Sequence, residues 1–445
     1  MKHIALVTTG LVGITNASLK LASRLTSEGS QVTYLCPIDI RAKVEIYGYN
    51  YIQLPRINWG FSFRKTEAVK NLSLLKAYFY HFTHLKQQYE DGVRMLNFKT
   101  YEDILQQLNP ELIVVEQELH EVIFSAIKLN IPVKLLSPHF FNGFQSSLPP
   151  IRTSIIPNIG FKGTKLGILI AWFFNYLRIW ARLWINRVKL SENRRSILKK
   201  YAKDIGFSTK YLKSRNFPSV YINTLTPQLS LNLLELEFPF SKPKNLQYIG
   251  AMVFEKRVES KKYQAESERI RKIIDLKKER NNKLIYCSLT TMQTANDITF
   301  IQNVIEAVKK ETKWVLILSL GGNLLPENFK TIPKNVHLFK GVPQLQVLAE
   351  SACSINHGGI NTINECIHFK VPMLVYSGKK YDQNGCTARI AYHGLGLVGD
   401  KDLDNSDSIH TKINKILNTK DFLSKMTEMH HIYKGYESKE IASYL

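Results

Sequence analysis

The chain has 445 residues, 44% of them hydrophobic, with unremarkable glycine and proline contents. That excludes a disordered or fibrous chain and asks for two globular domains of about 200 residues each. The formal net charge of +23 is unevenly placed: Ile151–Val220 carries fifteen Lys/Arg and two Asp/Glu, a patch that suits nucleic acid, anionic lipid or an acidic substrate, or else a solvated face.

Five scattered cysteines, Cys36, Cys287, Cys353, Cys366 and Cys386, show no paired or zinc-ligand spacing. They read as reduced, buried thiols of a cytoplasmic protein, with no metal site. Met1-Lys2-His3 runs directly into an apolar strand, so no signal peptide is expected before it.

Taken in order, Ile4–Thr8 predicts a strand, Gly10 and Gly13 a loop, Ala17–Gly29 an amphipathic helix and Gln31–Leu35 a second strand. Phe61–Arg94 has mixed helical spacing. Leu112–Val115 is a strand, Val122–Leu129 a helix and Pro132–Leu136 a strand again. Strands alternating with helices predict a parallel, doubly wound sheet. Lys165–Leu190 is unusual: an uncharged run of 12 residues, Leu166–Leu177, followed by Arg178, Arg182 and Arg187 interleaved with aromatics. That run is too short to cross a membrane, which takes about 20 apolar residues. Trp172, Trp180 and Trp184 among arginines suit a helix at a membrane interface, a wall around a greasy ligand, or a buried helix.

Val220–Asn223 reads as a late strand, Leu225–Pro243 as loop, and Glu255–Lys283, dense in both charges, as a solvated helix and linker. Leu284–Thr291, Trp314–Leu320 and Val336–Phe339 then repeat the strand pattern, with a helix at Phe300–Lys310. The fold class is therefore α/β, with two facing doubly wound, Rossmann-like domains.

The segment Gly341–Gly396 carries the chemistry. Ala352–Ile355 predicts a strand, His357-Gly358-Gly359 a tight turn, Asn361–His368 a helix and Val371–Tyr376 another strand. Strand, glycine turn and helix aim backbone N–H groups and a helix N-terminus at an anion. Asp382-Gln383 would follow that strand, where ligands of open α/β sheets sit, with a helical run after them ending in Gly394 and Gly396. A carboxylate beside an amide suits vicinal hydroxyls. The pattern fits a phosphate-bearing, hydroxyl-rich ligand such as a nucleotide sugar.

The three spaced parts, VPQ at Val342–Gln344, HGGINTINE at His357–Glu365 and DQN at Asp382–Asn384, closely resemble the donor signature of family-1 nucleotide-sugar glycosyltransferases. The resemblance covers most of the chain and is strong in the second half. It implies the two-domain B-type architecture (GT-B): residues 1–245 as acceptor domain, 246–283 as linker and charged helix, 284–425 as donor domain and 426–445 as a helix returning to the first domain. It also implies inverting transfer of a hexose from a UDP-sugar, UDP-glucose above others, with no metal or other cofactor.

Residue by residue, the resemblance places Val342 and Gln344 at the uracil. His357, Gly358, Gly359, Asn361 and Thr362 fall at the diphosphate, Glu365 at the ribose, and Asp382 and Gln383 at the sugar. The loop glycine Gly13 and Thr291 join the donor set; Thr290 replaces the glycine usual before Thr291, and Gly341 replaces a tryptophan common in plant members. The family's catalytic histidine position holds Ile14, which cannot take a proton. Its orienting acidic position matches Glu116, which reads as base or structural residue, with His139 and His120 as further candidates or ordinary packing histidines. The expected acceptor is a hydrophobic small molecule or lipid, met at an anionic membrane surface on the cytoplasmic side. The alternatives are a sugar-nucleotide-binding pseudoenzyme and a nucleic-acid-modifying transferase; no nucleic-acid fold signature accompanies the charge.

Overall fold

The computed structural model describes residues 2–63, 67–188, 191–215, 220–258, 264–289, 295–321, 324–329 and 331–445. The first sheet uses β1 (His3–Val7), β2 (Gln31–Cys36), β3 (Asn50–Gln53), β4 (Leu112–Glu116) and β5 (Val133–Ser137). β6 (Leu212–Ser214) and β7 (Tyr221–Asn223) form a separate antiparallel ribbon. β8 (Gln228–Ser230) and β9 (Leu246–Tyr248) complete the sheet in the order β3-β2-β1-β4-β5-β8-β9, with parallel pairing throughout. Ile4 through Val7 are wholly buried, as expected of a central parallel strand covered on both faces.

The second sheet uses β10 (Lys283–Ser288), β11 (Trp314–Ser319), β12 (Val336–Phe339), β13 (Cys353–Asn356), β14 (Met373–Val375) and β15 (Gly396–Val398). Its order is β12-β11-β10-β13-β14-β15, also parallel. Both sheets reverse direction beside their first strand, between β1 and β4 and between β10 and β13. Such reversals open a crevice at the C-terminal strand ends. The five cysteines are free and buried.

Four expectations need correction. The first long helix spans Val12–Ser27, so Gly13 sits in its first turn rather than in a loop. The stretch expected as loop contains β8, whose three residues are too few to show a period. The charged segment is not a solvated linker: helix Gln264–Glu279 buries Ile270, Ile273 and Ile274 in the second domain's core. Three apolar residues at helical spacing suffice for one buried stripe, however charged the rest. Gly396, expected to end a helical run, opens β15; a Cβ there would lie 1.8 Å from the Met373 carbonyl oxygen.

The domains meet through one continuous apolar cluster. It joins Phe140, Ile151, Leu236 and Tyr248 of the first to Ile363, Cys386 and Ile390 of the second. At its centre Arg389, 1% exposed, donates from Nε and Nη2 to Glu237 Oε2 at 3.1 and 2.6 Å. Its guanidinium lies 4.3 Å from the Phe140 ring centroid and 4.5 Å from that of Phe238. Glu237 Oε1 accepts from the Phe141 N–H and the Tyr248 hydroxyl at 2.7 and 2.8 Å.

Helix Lys420–Glu437 packs on helix Ile360–Phe369, and the chain beyond it reaches the first domain. There Ile441 is buried beside β1 residues, and Glu28 accepts the Ile441 and Ala442 N–H groups at 2.9 and 2.6 Å. Breaking one side of a buried ion pair leaves an uncompensated charge. Arg389→Met should therefore destabilise the protein by about 3–5 kcal/mol, and Arg389→Met with Glu237→Gln by less. Urea denaturation followed by tryptophan fluorescence reads both; equal losses would show that the pair is not the joint.

Candidate functional site

Two helix N-termini face each other across the crevice. Helix Val12–Ser27 follows β1, and helix Ile360–Phe369 follows β13; neither has a side-chain cap. Their first N–H groups are therefore available to a ligand, at the positive ends of two helix dipoles. The approach is close: a Cβ on Gly13 would lie 2.4 Å from Asn361 Nδ2, the movable end of that side chain.

The turn between β13 and its helix is set by Asn356, whose Oδ1 accepts the Gly358 N–H at 2.9 Å. Gly358 has φ +77°, and a Cβ there would meet Thr387 Oγ1 at 2.7 Å, so both backbone shape and space demand glycine. The His357 ring curls over Gly359, with Nε2 2.6 Å from where that residue's Cβ would stand. Burial, with Lys401 nearby, holds His357 below the ordinary histidine pKa. In this state it is a neutral donor rather than a cation.

Glu365, in the same helix, is bound by Arg257 Nη1 at 2.8 Å and by the Gln344 amide. Gln344 Oε1 in turn accepts from the Tyr286 hydroxyl at 3.1 Å. The Gln344 side chain is thus spent on Glu365, which leaves its backbone for a base. Val342 packs at the margin of the core, and Thr362 is half-buried one residue beyond Asn361. Thr290 and Thr291 lie outside the described residues.

Across the crevice, His139 Nδ1 lies 2.7 Å from Asp382 Oδ2, and Nε2 lies 3.3 Å from Glu118 Oε1. Asp382 stands at the start of helix Gln383–Tyr392; His139 follows β5, and Glu118 follows β4. Burial opposes a charge on His139, but the two carboxylates outweigh it and push its pKa up to about 10. Asp382 is held below the usual carboxylate range: burial works against its charge, and His139 outweighs burial. His139 is therefore a cation at neutral pH and cannot serve as base in this state, which corrects that expectation. Gln383 is buried beside Asp382, with its Oε1 against Gly378.

Glu116 ends β4, and its Oε2 accepts the Thr9 N–H at 2.7 Å. Burial, reinforced by Glu118, raises its pKa to about 7. His120 is not in the crevice: it is buried against Phe124 and Tyr221, and burial with Arg194 nearby lowers its pKa to about 3. It is a packing residue. Ile14 is turned into the core of the first domain. Glu118 was missed in the sequence; its only signal is its spacing two residues beyond Glu116.

Residues 311–433 match the family described as erythromycin biosynthesis protein CIII-like, C-terminal domain. NDP-glycosyltransferase YjiC of Bacillus subtilis (strain 168) is 29% identical over 120 residues, 27% of this chain and 30% of that protein. The zeaxanthin glucosyltransferase of Pantoea ananas is 25% identical over 147 residues, 33% of each chain. The matched stretch thus spans about a third of these relatives' length. The relatives matched are named as glycosyltransferases, each over about a third of this chain or less. A solved structure, the glycotransferase of kitacinnamycin, superposes over 100% of this chain and 97% of that one with a TM-score of 0.66 at 17% identity. The fold is accordingly GT-B.

The cross-domain contact of His139 titrates. Its pKa is raised from 6.5 to about 10, so its contribution to stability is full below pH 6.5 and is lost as pH rises towards 10. His139→Phe should lower the thermal midpoint most at about pH 6 and least near pH 10. An equal loss at both would contradict the pairing.

Proposed function

We propose that the protein transfers a hexose from a UDP-sugar to a hydroxyl of a hydrophobic acceptor, with inversion and without a metal. The observation that carries this is the pairing of two uncapped helix N-termini across the crevice, with a carboxylate of raised pKa beside them. The diphosphate lies between the helix ends at Gly13 and Asn361, where fixed dipoles and the His357 N–H stabilise its departure. Glu365 and the Gln344 backbone take the nucleoside, and Asp382 with Gln383 takes the sugar hydroxyls. The acceptor oxygen attacks the anomeric carbon as the bond to the diphosphate breaks, and the acceptor proton passes to Glu116. A carboxylate with a pKa near the working pH suits that transfer. Ile14 favours a second reading, a sugar-nucleotide-binding protein without turnover; Glu116 and Glu118 in the crevice weigh against it.

UDP release from UDP-glucose, measured with a panel of apolar alcohols, separates the two. Turnover should rise with pH through about 7, the value set for Glu116 by burial. Glu116→Gln should lower it by about a hundred-fold or more. A variant that turns over normally would move the base elsewhere.

We further propose that the protein meets its acceptor at the cytoplasmic face of an anionic membrane. Helix Lys165–Val188 supports this. By length and composition, its span Lys165–Ile185 could cross a bilayer, and only 17% of its apolar window is buried; the expectation that it is too short is corrected. One stripe holds it to the first domain: Ile168, Trp172 and Ile179 are buried, and Trp172 Nε1 donates to the Leu148 carbonyl at 2.7 Å. The opposite side exposes Phe173, Phe174, Leu177 and Trp184.

A second helix, Leu74–Thr83, exposes Leu74, Leu75, Phe79 and Phe82. The two helices adjoin one junction: Gln88 bridges His81 and the Glu192 N–H, at 3.1 and 3.2 Å. Apolar contact plus basic residues gives reversible surface binding, each cation worth about 1 kcal/mol. The protein should sediment with anionic vesicles, less as salt rises, and less when Arg178 and Arg182 become Glu. Protein left in the supernatant at low salt would rule the surface out.

A further inference from the structure

Along one side of helix Lys165–Val188, bordering its exposed face at Trp180, lies a cavity of about 900 Å³. Its size is that of sites for drug-sized ligands. The helix contributes Tyr176, Ile179, Trp180 and Leu183 to its wall, and Phe141 and Phe144 face them from the loop after β5. Its charged lining residues among those described are Lys213 and Lys244, both cations.

A second, narrow space adjoins the first. Phe141, Ile222, Gln228 and Leu246 line both, and it runs along the sheet to Ser137 and His139. The narrow space has room of only about 10 Å³, so the two share a wall, and Phe141 stands where they meet.

The narrow space also holds Arg215, only 8% exposed. One of its Nη groups donates to Gln117 Oε1 at 2.9 Å, while its Nε is buried without a partner. It forms no ion pair among the described residues. The Glu118 carboxylate acts on it from a distance, and a buried cation without a direct ion pair is costly and is retained where something completes its contacts. Arg195, whose Nη2 donates to the Arg215 carbonyl at 2.6 Å, adds a second cation beside it.

We propose that this cavity binds the acceptor, and that the acceptor is an amphipathic acid. Its apolar body packs against Tyr176, Ile179, Trp180 and Leu183. Its anionic oxygens, of a carboxylate or a phosphate ester, meet Arg215 and Lys213. Its hydroxyl reaches towards His139 and, beyond it, Glu116, once the Phe141 side chain turns aside. This rests on the transfer reading above and narrows it. The same helix then has two tasks, one face on the membrane and the other on the molecule drawn from it.

Binding can be read without turnover, so the two readings fail separately. The probes are dodecanoate, dodecyl phosphate and 1-dodecanol, each below the concentration at which it aggregates, titrated against intrinsic tryptophan fluorescence with no vesicles present. Both acids should bind once per chain, about ten-fold tighter than the alcohol, and the tighter of the two names the acid group. Leu183→Trp, which fills the cavity, should weaken all three by ten-fold or more. Arg215→Met should remove the preference for the acids. Lys213→Met, at an exposed position, should reduce that preference even if Arg215→Met fails to fold. Phe173→Ser with Phe174→Ser, on the outer face, should leave probe binding unchanged. Acids binding no tighter than the alcohol would overturn the proposal, as would probe binding insensitive to Leu183→Trp. Loss of UDP binding with the probes still bound would instead sink the transfer reading.

Discussion

The structure depends on one buried ion pair. Arg389 comes from the helix that begins just after Asp382, and Glu237 from the segment linking β8 to β9. With Phe140 and Phe238 on either side of the guanidinium, the pair fixes how the two sheets face each other. Both charges are fully desolvated, so they are tolerated only in the mated geometry, where every remaining donor and acceptor has a partner. The consequence reaches the site directly. Arg389 also donates to the Gly385 carbonyl at 3.1 Å, within the turn that carries Asp382 and Gln383. The residues assigned to the sugar are therefore held by the same contact that joins the domains.

A second consequence is the partner that Asp382 keeps. Its charge is balanced by His139, itself shared with Glu118. Under the proposed donor placement, a sugar hydroxyl at Asp382 would compete with, or add to, that contact. The missing histidine beside Gly13 thus does not leave the crevice without titrating groups. Ile14 has joined the core, while Glu116 ends β4 and Glu118 and His139 stand on the loops after β4 and β5.

Much of this was legible in the sequence, and the reasons are physical. The donor half reads clearly because its glycine turn is fixed by backbone geometry: Gly358 needs positive φ and has Thr387 Oγ1 against the place of a Cβ. Short elements were not legible. β8 has three residues and takes its place from pairing with β5, not from its own pattern. Helix Gln264–Glu279 hid a three-isoleucine stripe among charges. The role of His139 could not be read locally, because its partners lie 21 and 243 residues away. The aromatic helix at Lys165–Val188 was visible as an oddity, but which of its faces is covered is a matter of tertiary packing.

The central claim is that Asp382 binds the sugar while the two helix ends hold the diphosphate. Titration calorimetry of the native protein and Asp382→Ala, with UDP and with UDP-glucose, tests it most directly. One charge-assisted hydrogen bond is worth about 1.5–3 kcal/mol, so the variant should lose roughly ten- to a hundred-fold in affinity for UDP-glucose and keep its affinity for UDP. Equal losses for both ligands would contradict the account.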